Sequence, residues 1–146
     1  MKEKESKYEA LKLENQLCFP LYACAKEIVR AYTPVLKPLD LTYTQYIVML
    51  ALWEKKSLYL KELGEILYLD SGTLTPLVNR LYEKGYLSKR RSEKDARDLE
   101  VSVTVKGWEL REKAVNVPSE VGSCVSLSSE ESQSLYVTLH KILKQL

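Results

Sequence analysis

Histidine is nearly absent from this chain of 146 residues, and its scarcity removes several chemistries at once. His140 stands alone without a ligand-spaced neighbour, and the cysteines form no C-x-x-C pair, so no metal site and no cofactor are expected. The cysteines number only three (Cys18, Cys24 and Cys124), too few and too scattered for a disulfide framework. No stretch approaches the roughly 18 uninterrupted apolar residues of a membrane span. The opening MKEKESKYEALKLENQ lacks the apolar core of a secretory signal, which makes a cytoplasmic protein the expectation. An excess of one charge is missing too. Lys and Arg total 22 against 20 Asp and Glu, a net +2, so any nucleic-acid surface has to be a local patch.

What is present suits one globular domain, with 45% hydrophobic and 29% charged residues. From Tyr8 to about Leu36 apolar residues recur at helical spacing (Leu13, Leu17, Leu21, Ala25, Ile28) until Thr33-Pro34 and Lys37-Pro38 break the pattern. LTYTQYIVMLALWEKK (41–56) restarts a helix, with Thr42 as N-cap and Tyr46, Ile47, Leu50 and Trp53 as its buried stripe. A short link at Ser57 to Tyr59 leads to LKELGEIL (60–67), with Leu60, Leu63 and Leu67 inward.

LDSGTLTPLVNRLYEKG (69–85) reads as a further helix, capped by Asp70 or Ser71 and ended by Gly85. Pro76 is either its first residue, with Thr75 as cap, or lies inside a helix that began earlier. Leu74, Leu77, Val78 and Leu81 form the inward stripe, and Thr73, Pro76, Asn79, Arg80 and Lys84 the opposite face. YLSKRR and LEVSVTV alternate with period two around a charged turn, SEKDARD, with Val101, Val103 and Val105 on one face. Helical pattern returns from about Lys106 and is interrupted by Pro118, Gly122 and SLSSEE. Ser128 and Glu131 form a capping-box signature for a last helix carrying Leu135, Leu139, Ile142 and Leu143.

The order helix, turn, helix, β-hairpin is that of a winged helix-turn-helix, whose second helix can enter the DNA major groove. Between Arg80 and Arg91 the chain places Arg80, Lys84, Lys89, Arg90 and Arg91, with Glu83 as the one acidic residue among them. Taken alone, such a run is commonly a solvated face. Its coincidence with the helix order and a threonine-rich polar face points instead to double-stranded DNA, bound with strong salt dependence. At the hairpin tip Asp95 can hold Arg97 in one orientation, ready for a narrow groove.

LYLDSGTLTPLVNRLYEKG followed by RSEKDARD resembles the recognition helix and wing of the MarR family of bacterial transcription factors. LENQLCFPLYA resembles its organic-hydroperoxide-sensing branch, OhrR, and the chain is similar also to the staphylococcal regulators SarZ and MgrA. The similarity runs from about Leu11 to Ala114. The resemblance implies a fold that is mainly α with a small β-hairpin wing. It implies a homodimer joined by N- and C-terminal helices (8–36 and 106–146) around a DNA-binding region (42–104), as one domain over 1–146. By the same analogy Ser71, Thr73, Thr75, Pro76, Asn79 and Arg80 face the major groove, and Arg97 enters the minor groove.

Cys18 and Tyr22 are four apart and share a helix face, where a phenol can hydrogen-bond a thiolate. Tyr32 lies about 21 Å along a straight helix from Cys18, so it reaches that sulfur only from a partner chain or across a break. Pattern alone leaves Cys18 as a buried hydrophobe or a reactive thiol. The resemblance implies the peroxide-reactive residue, with Tyr22 and Tyr32 bonded to it, the latter across the dimer. Cys24 is beyond disulfide reach of Cys18 and is expected to serve packing. Cys124 is, by the resemblance, a candidate partner that captures the oxidised sulfur across the dimer. Pro20 departs from the family pattern and, mid-helix, is expected to free the Gln16 carbonyl and kink the helix.

The expectation is therefore a DNA-binding repressor, not an enzyme, released from its operator when organic hydroperoxide oxidises Cys18. Oxidation would move the two recognition helices off the roughly 34–36 Å spacing of consecutive major grooves. The rival within the fold is a repressor relieved by a phenolic or lipophilic ligand. A thiol peroxidase and a non-DNA interaction module are the rivals from other classes.

Overall fold

The segment ahead of Cys18 does not join the first helix. The computed structural model, which describes residues 7–93 and 99–146, shows two short 3₁₀ turns there, Glu9–Leu11 and Leu13–Asn15. Helix α1 (Cys18–Leu36) begins at the cysteine itself. Leu13 and Leu17 are exposed, and an apolar stripe with nothing to cover it gives a short helix little support. Pro20 thereby falls at the third helical position, where an N–H would have had no intrahelical partner, so the reason for a kink there disappears. Pro34, expected to break the helix, lies inside it, and the helix continues two residues further.

A turn through Lys37–Leu39 and a left-handed Asp40 lead into α2 (Tyr43–Lys55). Thr42 Oγ1 accepts from the Gln45 N–H and Gln45 Oε1 accepts from the Thr42 N–H, the reciprocal capping box. Helix α2 is central: it packs against α1, against the two helices that follow it, against the first and last strands and against the helix after them. Its burial is consequently not a single stripe. Gln45, Val48, Met49, Ala51 and Leu52 are buried with Tyr46 and Trp53, whereas Leu50, expected inside, is 42% exposed.

The link Ser57–Tyr59 is a strand, β1, and not a loop. Helices α3 (Leu60–Leu67) and α4 (Ser71–Glu83) follow, then β2 (Leu87–Arg91) and β3 (Leu99–Val103). The three strands form an antiparallel sheet in the order β1-β3-β2, with Leu58 opposite Val101 and Lys89 opposite Val101 on its other side. Leu63, Leu74, Val78, Leu81, Leu87 and Val101 are fully buried with Leu36, Val48, Met49 and Leu52, each worth roughly 2 kcal/mol of apolar burial.

The valine face ends at Val103, two residues earlier than the alternation suggests. Val105 is the first residue of α5 (Val105–Ala114) and 78% exposed, because Thr104 caps that helix through the Gly107 N–H. Gly107 is required by close approach, since a Cβ there would lie 2.3 Å from the Tyr86 carbonyl oxygen. Trp53 Nε1 donates to the Gly107 carbonyl at 2.9 Å in the buried interior. Helices α6 (Val117–Gly122) and α7 (Ser129–Leu143) complete the chain, α7 starting at the expected Ser128–Glu131 capping box. No helix among the described residues is long and apolar enough to cross a membrane.

Candidate nucleic-acid interface and thiol site

Asp70 starts α4. Its Oδ1 accepts from the Thr73 N–H at 2.9 Å and its Oδ2 from the Thr73 hydroxyl at 3.1 Å. The bonds from Thr73, the backbone one first, hold the Asp70 carboxyl below its ordinary range. Pro76 sits inside the helix, which settles its two alternatives. At the far end the Tyr86 N–H bonds Leu81 O and the Gly85 N–H bonds Tyr82 O, with Gly85 at φ +80°. This is a Schellman ending, and Gly85 supplies the left-handed residue it needs. Lys106 Nζ adds a donor to the Lys84 carbonyl at 2.7 Å.

So held, α4 buries Leu74, Val78 and Leu81 and exposes Ser71, Thr73, Pro76 and Arg80, with Thr75 and Asn79 half-buried. The wing lies alongside, with Arg90 and Arg91 exposed and Lys89 half-buried. Asp95 and Arg97 lie outside the described residues. The cations in this patch are not equivalent. Lys84 Nζ pairs with Asp40 Oδ2 at 2.9 Å, Arg90 Nη2 with Glu100 Oε2 at 2.8 Å, and Lys89 Nζ bonds Asn79 Oδ1 at 2.8 Å. Counting only Glu83 as opposing charge therefore understated the neutralisation, which comes from residues 40 and 100. Among the described residues Arg80 and Arg91 make no ion pair. The Arg90–Glu100 pair was detectable only through the strand register, which sets those two residues directly opposite. Asp40 carried no signal beyond its place before a helix.

The thiol site starts from α1. Cys18 is exposed at the first helical position, at the positive end of the helix dipole, and Tyr22 is exposed one turn on, along the same face. Tyr32 is half-buried. Its ring packs 4.8 Å from Tyr43 and 5.8 Å from Tyr46, centroid to centroid, and burial pushes both of those phenols above their ordinary range. An uninterrupted helix of fourteen residues, about 21 Å, separates Tyr32 from Cys18 within the chain. Cys24 is exposed in this chain, about one and a half turns beyond Cys18 along α1. Cys124 is exposed just after α6, its Sγ 3.8 Å from the Glu120 carbonyl. Apolar side chains are exposed along both terminal elements: Leu17 just before α1, Phe19, Ile28 and Val29 on it, and Leu135, Tyr136, Val137 and Leu139 on α7. Helix α7 buries none of its residues.

The family model for the transcriptional regulator SarA/Rot matches residues 30–114. The organic hydroperoxide resistance transcriptional regulator of Bacillus subtilis is 44% identical over 142 residues, 97% of each chain. The chain is a transcriptional regulator of the MarR/SarA type. The solved structure of reduced AbfR bound to DNA superposes on this regulator with a TM-score of 0.78 at 33% identity, covering 97% of this chain and 98% of that one. Disulfide-formed AbfR superposes less closely, at 0.61 with 34% identity and 97% of each chain. The regulator thus has the winged-helix fold expected of it, with the wing sheet enlarged by β1.

Proposed function

We propose that this regulator is a homodimeric repressor whose hold on its operator is set by the oxidation state of Cys18. The observation that carries the proposal is the placement of Cys18. It is an exposed thiol at the start of a helix, with a tyrosine on the same face, on an apolar surface that its own chain leaves open. Apolar patches of that extent mark association surfaces. A second copy laid on α1 and α7 would bury them and bring a partner's Tyr32 toward the sulfur. The name of the Bacillus subtilis relative supports organic hydroperoxide as the signal.

The chemistry is a two-electron step. The Cys18 thiolate attacks one peroxide oxygen, the O–O bond breaks, and the alkoxide leaves as the alcohol after taking a proton. The sulfur is left as sulfenic acid. The Cys124 thiol of a second copy then attacks that sulfur, water departs, and an intersubunit disulfide remains. Disulfide formation in AbfR supports this last step. Ser71, Thr73, Thr75, Pro76, Asn79 and Arg80 would face the major groove, with Arg90, Arg91 and the Asp95–Arg97 tip on the flanking backbone and minor groove.

The test is titration of the reduced chain onto duplexes carrying its own promoter region, before and after cumene hydroperoxide. Oxidant should abolish specific binding and dithiothreitol should restore it, and C18S should ignore the oxidant. Release of C18S by peroxide would refute the assignment. One observation favours a second reading. A cleft of about 330 Å³, lined by Tyr46, Leu50, Trp53 and Arg111, is of a size to take an aromatic ligand. Release by such a ligand that persists in C18S would support it.

A further inference from the structure

One side chain of the wing is committed to the recognition helix. Lys89 is two residues from buried Leu87 in β2 and so shares its sheet face, toward α4. Its Nζ lies 2.8 Å from Asn79 Oδ1 and 4.2 Å from the centre of the Tyr82 ring. Asn79 and Tyr82 are three apart on one helix and form the two sides of a seat for the ammonium. An ammonium carries three donors and no acceptor, so the amide atom facing it is the carbonyl oxygen. The Asn79 NH₂ group points the other way.

That polarity has a consequence in a major groove. A free asparagine pairs with adenine through both atoms, accepting from N6–H and donating to N7. Here an ammonium already occupies one lone pair of that oxygen, so an adenine N6–H taking the other would be brought up beside a positive charge and a competing donor. Two N–H donors remain, and guanine presents two acceptors, O6 and N7. We propose that Lys89 is a positioning residue that biases Asn79 toward donating, so that Asn79 takes the O6/N7 edge of guanine in preference to adenine. The proposal rests on the reading of α4 as the groove-facing helix. It also removes Lys89 from the residues that neutralise phosphate.

The experiment is selection of duplexes from a randomised library by the reduced, full-length chain. Wild type and K89R, both donor-only at residue 89, should enrich guanine at one position of each half-site. K89M should admit adenine there, with the guanine-to-adenine preference falling about fivefold or more. N79A and the N79A/K89M double variant should show no preference at that position. K89M should keep the wild-type slope of log affinity against log salt. Replacing the selected guanine by 7-deazaguanine should weaken wild type and leave N79A unchanged, a readout that does not depend on how K89M folds. An unaltered base preference in folded K89M, or a salt slope smaller by about one, overturns the proposal. So does indifference of wild type to 7-deazaguanine. If the wild-type chain enriches no sequence at all, the groove-facing reading of α4 has failed first.

Discussion

Lys84 joins the end of the recognition helix to the turn that follows α1. Its ammonium lies 2.9 Å from Asp40 Oδ2 and also donates to the Asp40 carbonyl, while Asp40 itself holds a left-handed backbone at φ 52°. The carboxylate is largely exposed, so the pair adds about 0–1 kcal/mol to stability. Its position matters more than its strength, because it links the end of the helix that carries Cys18 to the helix proposed to read DNA. K84M should lower the urea midpoint only slightly and shrink the loss of DNA affinity caused by peroxide. An unchanged oxidant response in folded K84M would mean that the coupling runs through the packed core alone.

Acid should loosen the start of α4 and two other carboxylate contacts only at low pH. Asp70, Glu100 and Glu131 are all held below their ordinary ranges: Asp70 by the Thr73 N–H, Glu100 by the Arg90 guanidinium, Glu131 by the Ser128 N–H. Groups with lowered folded values contribute stability that is fully present above the unfolded carboxylate range, about pH 3.9–4.3, and is lost as pH falls through the folded values. Urea midpoints should therefore be flat from pH 7 to about 5 and fall below about pH 4. D70N keeps a capping side chain without a titrating one, and should flatten part of that acid limb.

The contact of α5 with the β2 entry leaves no room for a methyl group. G107A would set a Cβ against the backbone oxygen of Tyr86, which cannot swing aside as a side chain would. A loss of about 2–4 kcal/mol is expected in urea unfolding. W53F, which removes the indole donor to the Gly107 carbonyl while that carbonyl keeps its place in the ladder of α5, should cost about 0.5–1.5 kcal/mol.

The three thiols should separate cleanly on a non-reducing gel. After peroxide, wild type and C24S should give a covalent dimer, whereas C18S and C124S should stay monomeric. A covalent dimer in C124S would point to Cys24 or to a pair of Cys18 sulfurs.

Much of this molecule was legible from its residues. The N-cap at Thr42, the capping box at Ser128, the Asp70 cap and the Gly85 ending are local signals, decided within four or five residues. What escaped depended on distant partners. Ser57–Tyr59 is too short to read as a strand until β3 lies beside it. The stripe on α2 was misjudged because a helix surrounded on most sides buries residues that periodicity assigns outward. The start of α1 was misplaced because Leu13 and Leu17 have helical spacing and no surface of their own chain to cover. At the site, composition located the cations correctly. It could not say that Lys84, Lys89 and Arg90 already hold partners, since Asp40, Asn79 and Glu100 are brought to them only by the tertiary fold.

The small strand β1 changes how DNA release has to work. Because β1 follows directly on α2 and hydrogen-bonds the inner strand of the wing, the hairpin cannot swing about its root without tearing at the middle of the domain. Reader and wing travel as one stiff block. In the proposed dimer, a signal arriving along α1 would therefore be transmitted as a change of distance or tilt between two such blocks, with the shape of each preserved.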